Sequence, residues 1–157
     1  MTLSTADEQH LRAVIEVASR ARAEGNHPFG ALLVDENGHV LLEAENTVVT
    51  TRDVTGHAEL NLVRIASKRY DEPTLRRTTL YASTEPCPMC AGAIFWSGIG
   101  RVVFGLSSAR FRETIGEGVV DLVISSHDLL GRGTRPVEVS GPHLEDEAVA
   151  VVAGFWS

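Results

Sequence analysis

Apolar residues recur along the N-terminal part of the chain with the period of an amphipathic helix. The inward positions of this helix are predicted to be Leu11, Val14, Ile15 and Ala18. Thr5 and Glu8 have the spacing of a capping box, which satisfies free backbone N–H groups at a helix start. Gly25 suits the left-handed conformation in which many helices end. The pattern therefore predicts a first helix that begins near Thr5 and ends before Gly25.

Two short apolar runs follow and predict a β-hairpin. They cover Gly30–Val34 and Val40–Ala44. The residues between them, Asp35 to Gly38, are of the types that favour tight turns.

Helices and strands alternate in the rest of the predicted pattern. A second helix covers His57–Lys68, and its inward residues are Leu60, Val63 and either Leu62 or Ile65. The remaining elements are a strand over Thr78–Ala82, a helix over Pro88–Trp96, a strand over Arg101–Phe104, a strand over Val137–Val139 and a helix over Leu144–Phe155. The pattern at Val119–Ile124 fits either a short strand or a short helix. This alternation indicates an α/β fold with helices on both sides of a central sheet, in three layers.

Length and charge limit the classes of function. A chain of 157 residues has the size of one domain, so residues 1–157 are assigned to a single unit. Its 14 Lys and Arg and 21 Asp and Glu give a formal net charge of −7, which disfavours a polyanionic partner. No apolar run approaches the length of about 18 residues that a membrane span requires. The N-terminus lacks the pattern of a signal peptide, so a cytoplasmic location without membrane attachment is expected.

Two short motifs contain residues that commonly bind metals. Cys87 and Cys90 are three positions apart at a predicted helix start, where both sulfurs can face one ion. Free N–H groups at a helix start also favour the thiolate form that metal binding requires. His57 would add a neutral nitrogen ligand. Three protein ligands leave one tetrahedral position open, as in catalytic zinc sites, and one Zn²⁺ per chain is predicted.

Glu59 is the predicted proton-transfer residue. It lies two positions after His57, and side chains with that spacing on a helix do not point in the same direction. It can therefore stand beside the metal as a general base and acid without becoming a ligand. The alternatives are a structural zinc knuckle and a redox Cys-x-x-Cys pair next to an unrelated histidine. The joint pattern, His-x-Glu followed by Pro-Cys-x-x-Cys, is the signature of zinc deaminases.

The chain resembles the cytidine and deoxycytidylate deaminase superfamily. The resemblance rests on residues 27–31 (HPFGA), 57–59 (HAE), 84–93 (TEPCPMCAGA) and 101–105 (RVVFG), within about half of the chain. It implies an α/β/α sandwich with a five-stranded mixed sheet and a homodimer. It also implies a hydrolase that replaces an exocyclic amino group of a nucleobase or nucleoside by oxygen and releases ammonia.

Within this superfamily, the HPFGA and CPMC motifs and Ile94-Phe95-Trp96 are most similar to guanine deaminases and related free-base deaminases. That resemblance implies a role in purine metabolism. The substrate contacts it implies are Phe29, Asn46, Ala58, Pro86 and Trp96. An amide suits the edge of a base and an aromatic ring suits its face.

Two other branches remain open. The tRNA adenosine deaminases share Ala91-Gly92-Ala93 and the stretch 99–105, but the absence of Lys and Arg from 144–157 counts against a tRNA substrate. Cytosine deaminases are the other alternative.

After Gly105, Glu113 or Glu117 could supply an acidic contact to the base. The tail Gly154-Phe155-Trp156 could either cover the active site or anchor the last helix in the core.

Overall fold

The computed structural model describes residues 2–157 and contains five strands and eight helices in that range. The strands are β1 (Gly30–Val34), β2 (Val40–Glu45), β3 (Thr79–Thr84), β4 (Arg101–Leu106) and β5 (Glu138–Ser140). The helices are α1 (Thr5–Ala23), α2 (Val48–Thr51), α3 (Ala58–Arg69), α4 (Glu72–Leu75), α5 (Pro88–Ser97), α6 (Ser108–Ile115), α7 (Ser126–Gly131) and α8 (Glu145–Val152). No helix within residues 2–157 is both long enough and apolar enough to span a lipid bilayer.

The five strands form one mixed sheet in the order β2-β1-β3-β4-β5. β1 is antiparallel to both β2 and β3, whereas β3, β4 and β5 run parallel. This confirms the predicted five-stranded mixed sheet of the α/β/α class. Parallel neighbours need a crossover, and α5 supplies it between β3 and β4.

Side chains of β1 alternate between two apolar layers. Ala31 and Leu33 pack with α3 and α5, in a cluster that includes Leu62 and Ile94. On the opposite face, Leu32 and Val34 pack with residues of α1, including Leu11 and Val14. All five residues of β1 are therefore buried, which explains why this strand is a continuous apolar run.

The sheet topology brings four chain segments to one edge. β3 and β4 are parallel, so the residues after Thr84 and Leu106 leave the sheet on the same side. β1 is antiparallel to β3, so its start, after Phe29, lies at that edge as well. The pairing of Gly30 with Glu45 places the end of β2 there too. The metal-binding motif that follows β3 consequently lies next to residues from distant parts of the sequence.

The start of α1 differs from the prediction by one residue. Ser4 is the N-cap, with an extended backbone, and Thr5 is already helical. The Ser4 hydroxyl accepts the Asp7 N–H at 3.0 Å, and the Asp7 carboxylate accepts the Ser4 N–H at 3.4 Å. The capping box is therefore Ser4–Asp7, and its assignment to Thr5 and Glu8 was wrong. Gly25 follows the helix with a φ of 89°, as its predicted role requires.

Other predicted elements and inward-facing residues also differ from the structure. In α3, Leu62 and Val63 are buried, Leu60 is half-buried and Ile65 is 42% exposed, because the core lies towards positions 58, 62, 63 and 66. The segment Val119–Ile124 is neither strand nor helix, since it pairs with no strand and lies largely exposed between α6 and α7. The short helices α2, α4, α6 and α7 were not predicted, because their few apolar positions give no clear period.

Candidate active site

Two helix starts bring the predicted metal ligands together. His57 is the N-cap of α3, Cys87 is the N-cap of α5, and Cys90 lies in the first turn of α5. Pro88 occupies a first-turn position of α5, where its missing N–H leaves no hydrogen bond unmade. Because α3 and α5 pack side by side in the same core, the three side chains face one point.

The donor set fits zinc. His57 Nδ1 lies 3.5 Å from Cys87 Sγ and 3.5 Å from Cys90 Sγ. Tetrahedral zinc, with Zn–N of about 2.0 Å and Zn–S of about 2.3 Å, separates such ligand atoms by about 3.5 Å. Two thiolates also neutralise the charge of a dication. The three residues therefore form the zinc-binding site, with the imidazole and both sulfurs already at coordinating separations.

The pKa values of the two thiols are shifted because the sulfur atoms lie close together. Hydrogen bonds from Cys90 and His57 lower the pKa of the Cys87 thiol to about 4. The neighbouring Cys87 sulfur, together with burial, raises the pKa of the Cys90 thiol. Hydrogen bonding to Cys87 likewise raises the pKa of His57. A dication between the sulfurs reverses the direction at Cys90, because a coordinated thiol loses its proton.

Glu59 lies next to the ligands without belonging to their cluster. It is in the first turn of α3, is 5% exposed and lines the cavity that contains His57 and Cys87. Burial, followed by the negative charge of Cys87, raises the pKa of Glu59 to about 7. A carboxyl group with that pKa exchanges a proton readily near neutral pH, as general acid–base catalysis requires.

A cavity of about 560 Å³ opens over this centre. One wall is aromatic: the Trp156 ring lies 5.5 Å from that of Phe111, 6.1 Å from that of Phe29 and 5.4 Å from that of His27. Burial and the nearby His57 lower the pKa of His27, which favours its neutral form in this wall. The wall offers planar apolar faces of the kind that stack on a heterocycle.

The other walls carry carboxylates. Glu59, Glu85, Glu117 and Asp121 line the cavity, and no Lys or Arg does so in the described part of the chain. Asp121 is paired with Arg112 at 2.9 Å, whereas Glu85 accepts hydrogen bonds from two helix starts. Negative charge in such a cleft repels phosphate groups and favours neutral or cationic ligands.

The predicted substrate contacts separate into three groups. Phe29 lines the cavity. Asn46, Ala58 and Pro86 are buried and do not line the cavity, although Ala58 and Pro86 adjoin the ligands His57 and Cys87 in the chain. Trp96 does not line the cavity of its own chain and is 84% exposed. It lies two residues after the buried Ile94, about 200° around the helix, and so points away from the core.

Asn46 retains an unused hydrogen-bond donor. Its Oδ1 accepts the Val48 N–H at 3.0 Å, which is the turn-capping role that competed with substrate binding in the sequence. Its Nδ2 is buried without a partner, the only such side-chain atom found within residues 2–157. A buried unpaired amide group is costly unless another molecule completes its hydrogen bonds.

Several lining residues were not among the predicted contacts. Phe111 and Ser108 reach the cavity through the meeting of distant segments at one sheet edge, and no local motif marks them. His27 also lines the cavity; it opens the HPFGA motif but was not assigned a substrate contact. Of the two candidate acids after Gly105, Glu117 lines the cavity and Glu113 does not. Trp156 of the tail forms part of the cavity wall, whereas the last helix is anchored in the core by Ala148 and Val152, which precede the tail.

The profile of the cytidine and deoxycytidylate deaminase zinc-binding region matches residues 4–106. The chain belongs to this family. This deaminase is 48% identical over 157 residues to a probable cytosine deaminase of Schizosaccharomyces pombe, covering 98% of this chain and 94% of that protein. It is 42% identical over 104 residues to the tRNA-specific adenosine deaminase of Haemophilus influenzae, covering 66% of this chain and 60% of that protein.

Solved structures agree with the fold. The guanine deaminase from Nitrosomonas europaea superimposes with a TM-score of 0.78 at 26% identity, covering 97% of this chain and 84% of the other. The family assignment identifies this protein as a zinc-dependent hydrolytic deaminase of the nucleobase or nucleoside type.

The arrangement divides the deamination chemistry among few residues. Zinc, when bound, supplies the Lewis acid that makes water a nucleophile near neutral pH. His57, Cys87 and Cys90 hold it at the edge of the sheet. Glu59, buried beside them, would transfer two protons in turn: one from water to the ring nitrogen, and a second from the added hydroxyl group to the departing amino group.

Proposed function

We propose that this deaminase, a single unit over residues 1–157, acts on cytosine as a free base. The observation that carries the proposal is the similarity to the S. pombe probable cytosine deaminase over nearly all of both chains. That similarity extends beyond Gly105, and residues after Gly105 supply about half of the cavity lining, from Ser108 to Trp156. The tRNA-specific adenosine deaminase of Buchnera aphidicola aligns over 96% of this chain, but at 29% identity rather than 48%.

The cavity supports a small uncharged substrate. It combines an aromatic wall with carboxylates and has no cationic lining residue among residues 2–157, so nucleotides and tRNA lack a counter-charge there. Guanine is the second candidate, because the N. europaea guanine deaminase shares the fold over 97% of this chain.

The test is ammonia release by the zinc-loaded protein. Cytosine, guanine, adenine, their nucleosides and a tRNA anticodon stem-loop are compared, with Glu59→Gln as the control. We expect kcat/KM for cytosine to exceed that for every other compound by at least about tenfold, a difference in transition-state binding that one mismatched polar contact can produce. The Glu59→Gln variant should keep its zinc and lose turnover, since the residue transfers protons without ligating the metal.

Other outcomes contradict the proposal in distinct ways. Preference for guanine would replace cytosine by a purine and restore the assignment that the HPFGA and CPMC motifs favour. Turnover of the tRNA stem-loop alone would show that the acidic cavity accepts a polyanion. Loss of zinc from a folded Glu59→Gln protein would place Glu59 among the ligands.

We also propose a homodimer formed through α5. The helix is apolar on nearly every side, yet Trp96 is 84% exposed and Met89 is 38% exposed on the side that faces away from the sheet. Met89, Gly92, Ala93 and Trp96 recur at helical spacing and form one apolar stripe. A helix with this composition is normally covered on all sides, and a second copy of the chain supplies the missing cover.

A further inference from the structure

Glu85 connects the zinc motif to two helices of the cavity wall. It follows β3 directly and precedes Pro86 and Cys87, and it is 9% exposed. Its Oε2 accepts the backbone N–H of Ser108 at 2.8 Å. Its Oε1 accepts the N–H and the hydroxyl of Ser126 at 2.9 and 3.0 Å. One carboxylate thus receives three hydrogen bonds from two separate helix starts.

These two serines bracket one side of the cavity. Ser108 begins α6 and Ser126 begins α7. The chain between them contributes Phe111, Ile115 and residues 117–121 to the cavity lining. Residues 116–125 have no regular secondary structure of their own. The position of this wall therefore depends on how its two ends are held.

Helix capping alone does not explain why the Glu85 carboxylate accepts these hydrogen bonds. Ser107 and Ser125 already cap α6 and α7 through their own side chains, which accept the N–H groups of Arg110 and Asp128. Glu85 instead receives the first helical N–H of each helix, a group with no partner inside the helix. Hydrogen bonds to a buried carboxylate are about twice as strong as neutral ones. The added bonds join the helices to the strand end that carries the zinc ligands.

We propose that Glu85 is a positioning residue that fixes the wall of residues 108–126 relative to the zinc ligands and Glu59. Glu85 itself transfers no proton in the reaction and is not one of the clustered metal ligands. It sets the distance between the heterocycle, which contacts the wall, and the atoms that react. The proposal rests on the deaminase activity of this cavity and does not depend on cytosine being the substrate.

The main test compares Glu85→Gln with Glu145→Gln. Glu145 also accepts the N–H and hydroxyl of a serine at the start of α6, Ser107, but it does so from α8 outside the cavity. In Glu85→Gln, an NH₂ group replaces one carboxylate oxygen and faces an N–H donor. The hydrogen bond to one of the two helices is therefore lost. We expect a rise in KM of about tenfold or more with kcat reduced less, the scale of one lost charged hydrogen bond. Zinc content should remain that of the wild type.

Amide hydrogen exchange gives a readout that needs no substrate. In Glu85→Gln, exchange in residues 116–126 should accelerate by about tenfold or more relative to Glu145→Gln, because one end of the wall is released. If Glu145→Gln changes KM and exchange in 116–126 as much as Glu85→Gln does, the carboxylate is only a stabilising cap and the proposal is wrong. If exchange rises but no heterocycle is turned over by the wild type, the proposed function fails while the positioning of the wall stands.

A second pair of variants covers the case in which Glu85→Gln does not fold. Ser108→Pro removes the N–H that Glu85 accepts, and the first helical position tolerates proline. The preceding residue, Ser107, has φ −69° and ψ 150°, the extended conformation that proline requires before it. Ser108→Ala keeps the N–H and removes only the hydroxyl. A larger rise in KM for Ser108→Pro than for Ser108→Ala supports the proposal, and equal values overturn it.

Discussion

Asp7 has two roles at the residue scale. It completes the cap of α1, and its carboxylate also accepts hydrogen bonds from Arg101 at 2.8 and 2.9 Å and from the Tyr81 hydroxyl at 2.6 Å. Arg101 opens β4 and Tyr81 lies in β3, so the group joins the first helix to the centre of the sheet. The hydrogen bonds from Arg101 hold the pKa of Asp7 well below its usual range.

Replacement of this carboxylate should destabilise the protein in a pH-dependent way. For Asp7→Asn we expect the free energy of unfolding to fall by about 2 kcal/mol at pH 7. This is less than for a fully buried ion pair, because Arg101 is partly solvated. The folded-state pKa of Asp7 is lowered, so its contribution is complete above about pH 4 and is lost as the pH falls below that value. Urea unfolding of both proteins at pH 7 and pH 3 measures this. The prediction fails if the difference between them is the same at both values.

At the scale of elements, the chain end is held by the first helix. Arg22 of α1 donates to the carbonyl oxygens of Val151 and Ala153 at 2.7 and 2.8 Å. Its guanidinium also lies 5.7 Å from the centre of the Phe155 ring. The next residue, Trp156, forms part of the cavity wall. Arg22 therefore determines where the last aromatic residues lie, although it does not reach the cavity itself.

Removal of the Arg22 donors should weaken substrate binding more than folding. For Arg22→Met we expect KM to rise about fivefold, which corresponds to about 1 kcal/mol for partly exposed hydrogen bonds. The matched control is Arg20→Met, because Arg20 pairs with Glu43 and Glu45 and does not contact the tail. Steady-state kinetics and thermal unfolding of both variants decide the matter. Equal values of KM for the two variants would show that the tail keeps its place without Arg22.

At the scale of the whole molecule, the zinc centre and the proposed interface share α5. The N-terminal turn of this helix holds Cys87 and Cys90, and its exposed side presents Met89 and Trp96. Assembly through this face would bring the zinc centres of two copies close to one another. The stability of the centre would then depend on the partner.

A charge on that apolar face should prevent assembly. We expect the wild type to sediment as a dimer and Trp96→Glu as a monomer, since a carboxylate at a buried apolar interface is strongly unfavourable. Val40→Glu is the control, because Val40 is also exposed, at 50%, but lies on the edge strand β2. Analytical ultracentrifugation over a range of concentrations measures both. A monomeric wild type, or a Trp96→Glu protein that still dimerises, would place the contact elsewhere or remove it.

Local patterns in the sequence were sufficient for the zinc ligands and most of the sheet. Cys87 and Cys90 depend on one helical turn, and His57 and Glu59 on the start of another, so spacing alone fixes how each motif is presented. The three central strands β1, β3 and β4 are almost entirely buried, and the sequence pattern that marks each of them is equally local. These features need only a few neighbouring residues to form, and the sequence contains them directly.

Tertiary structure decided what surrounds the zinc centre. The sequence does not show the role of the Glu85 side chain, because its partners Ser108 and Ser126 come within hydrogen-bonding distance only when β4 and the chain after it have folded. Trp156 is distant in sequence from Phe29 and meets it only because α8 packs against Ile15 of α1 and Leu106 of β4. Trp96 points outward because Ala91 and Ile94, on the other side of α5, pack into the core. Contacts of this kind depend on the relative placement of whole elements, and no periodicity within one segment encodes that placement.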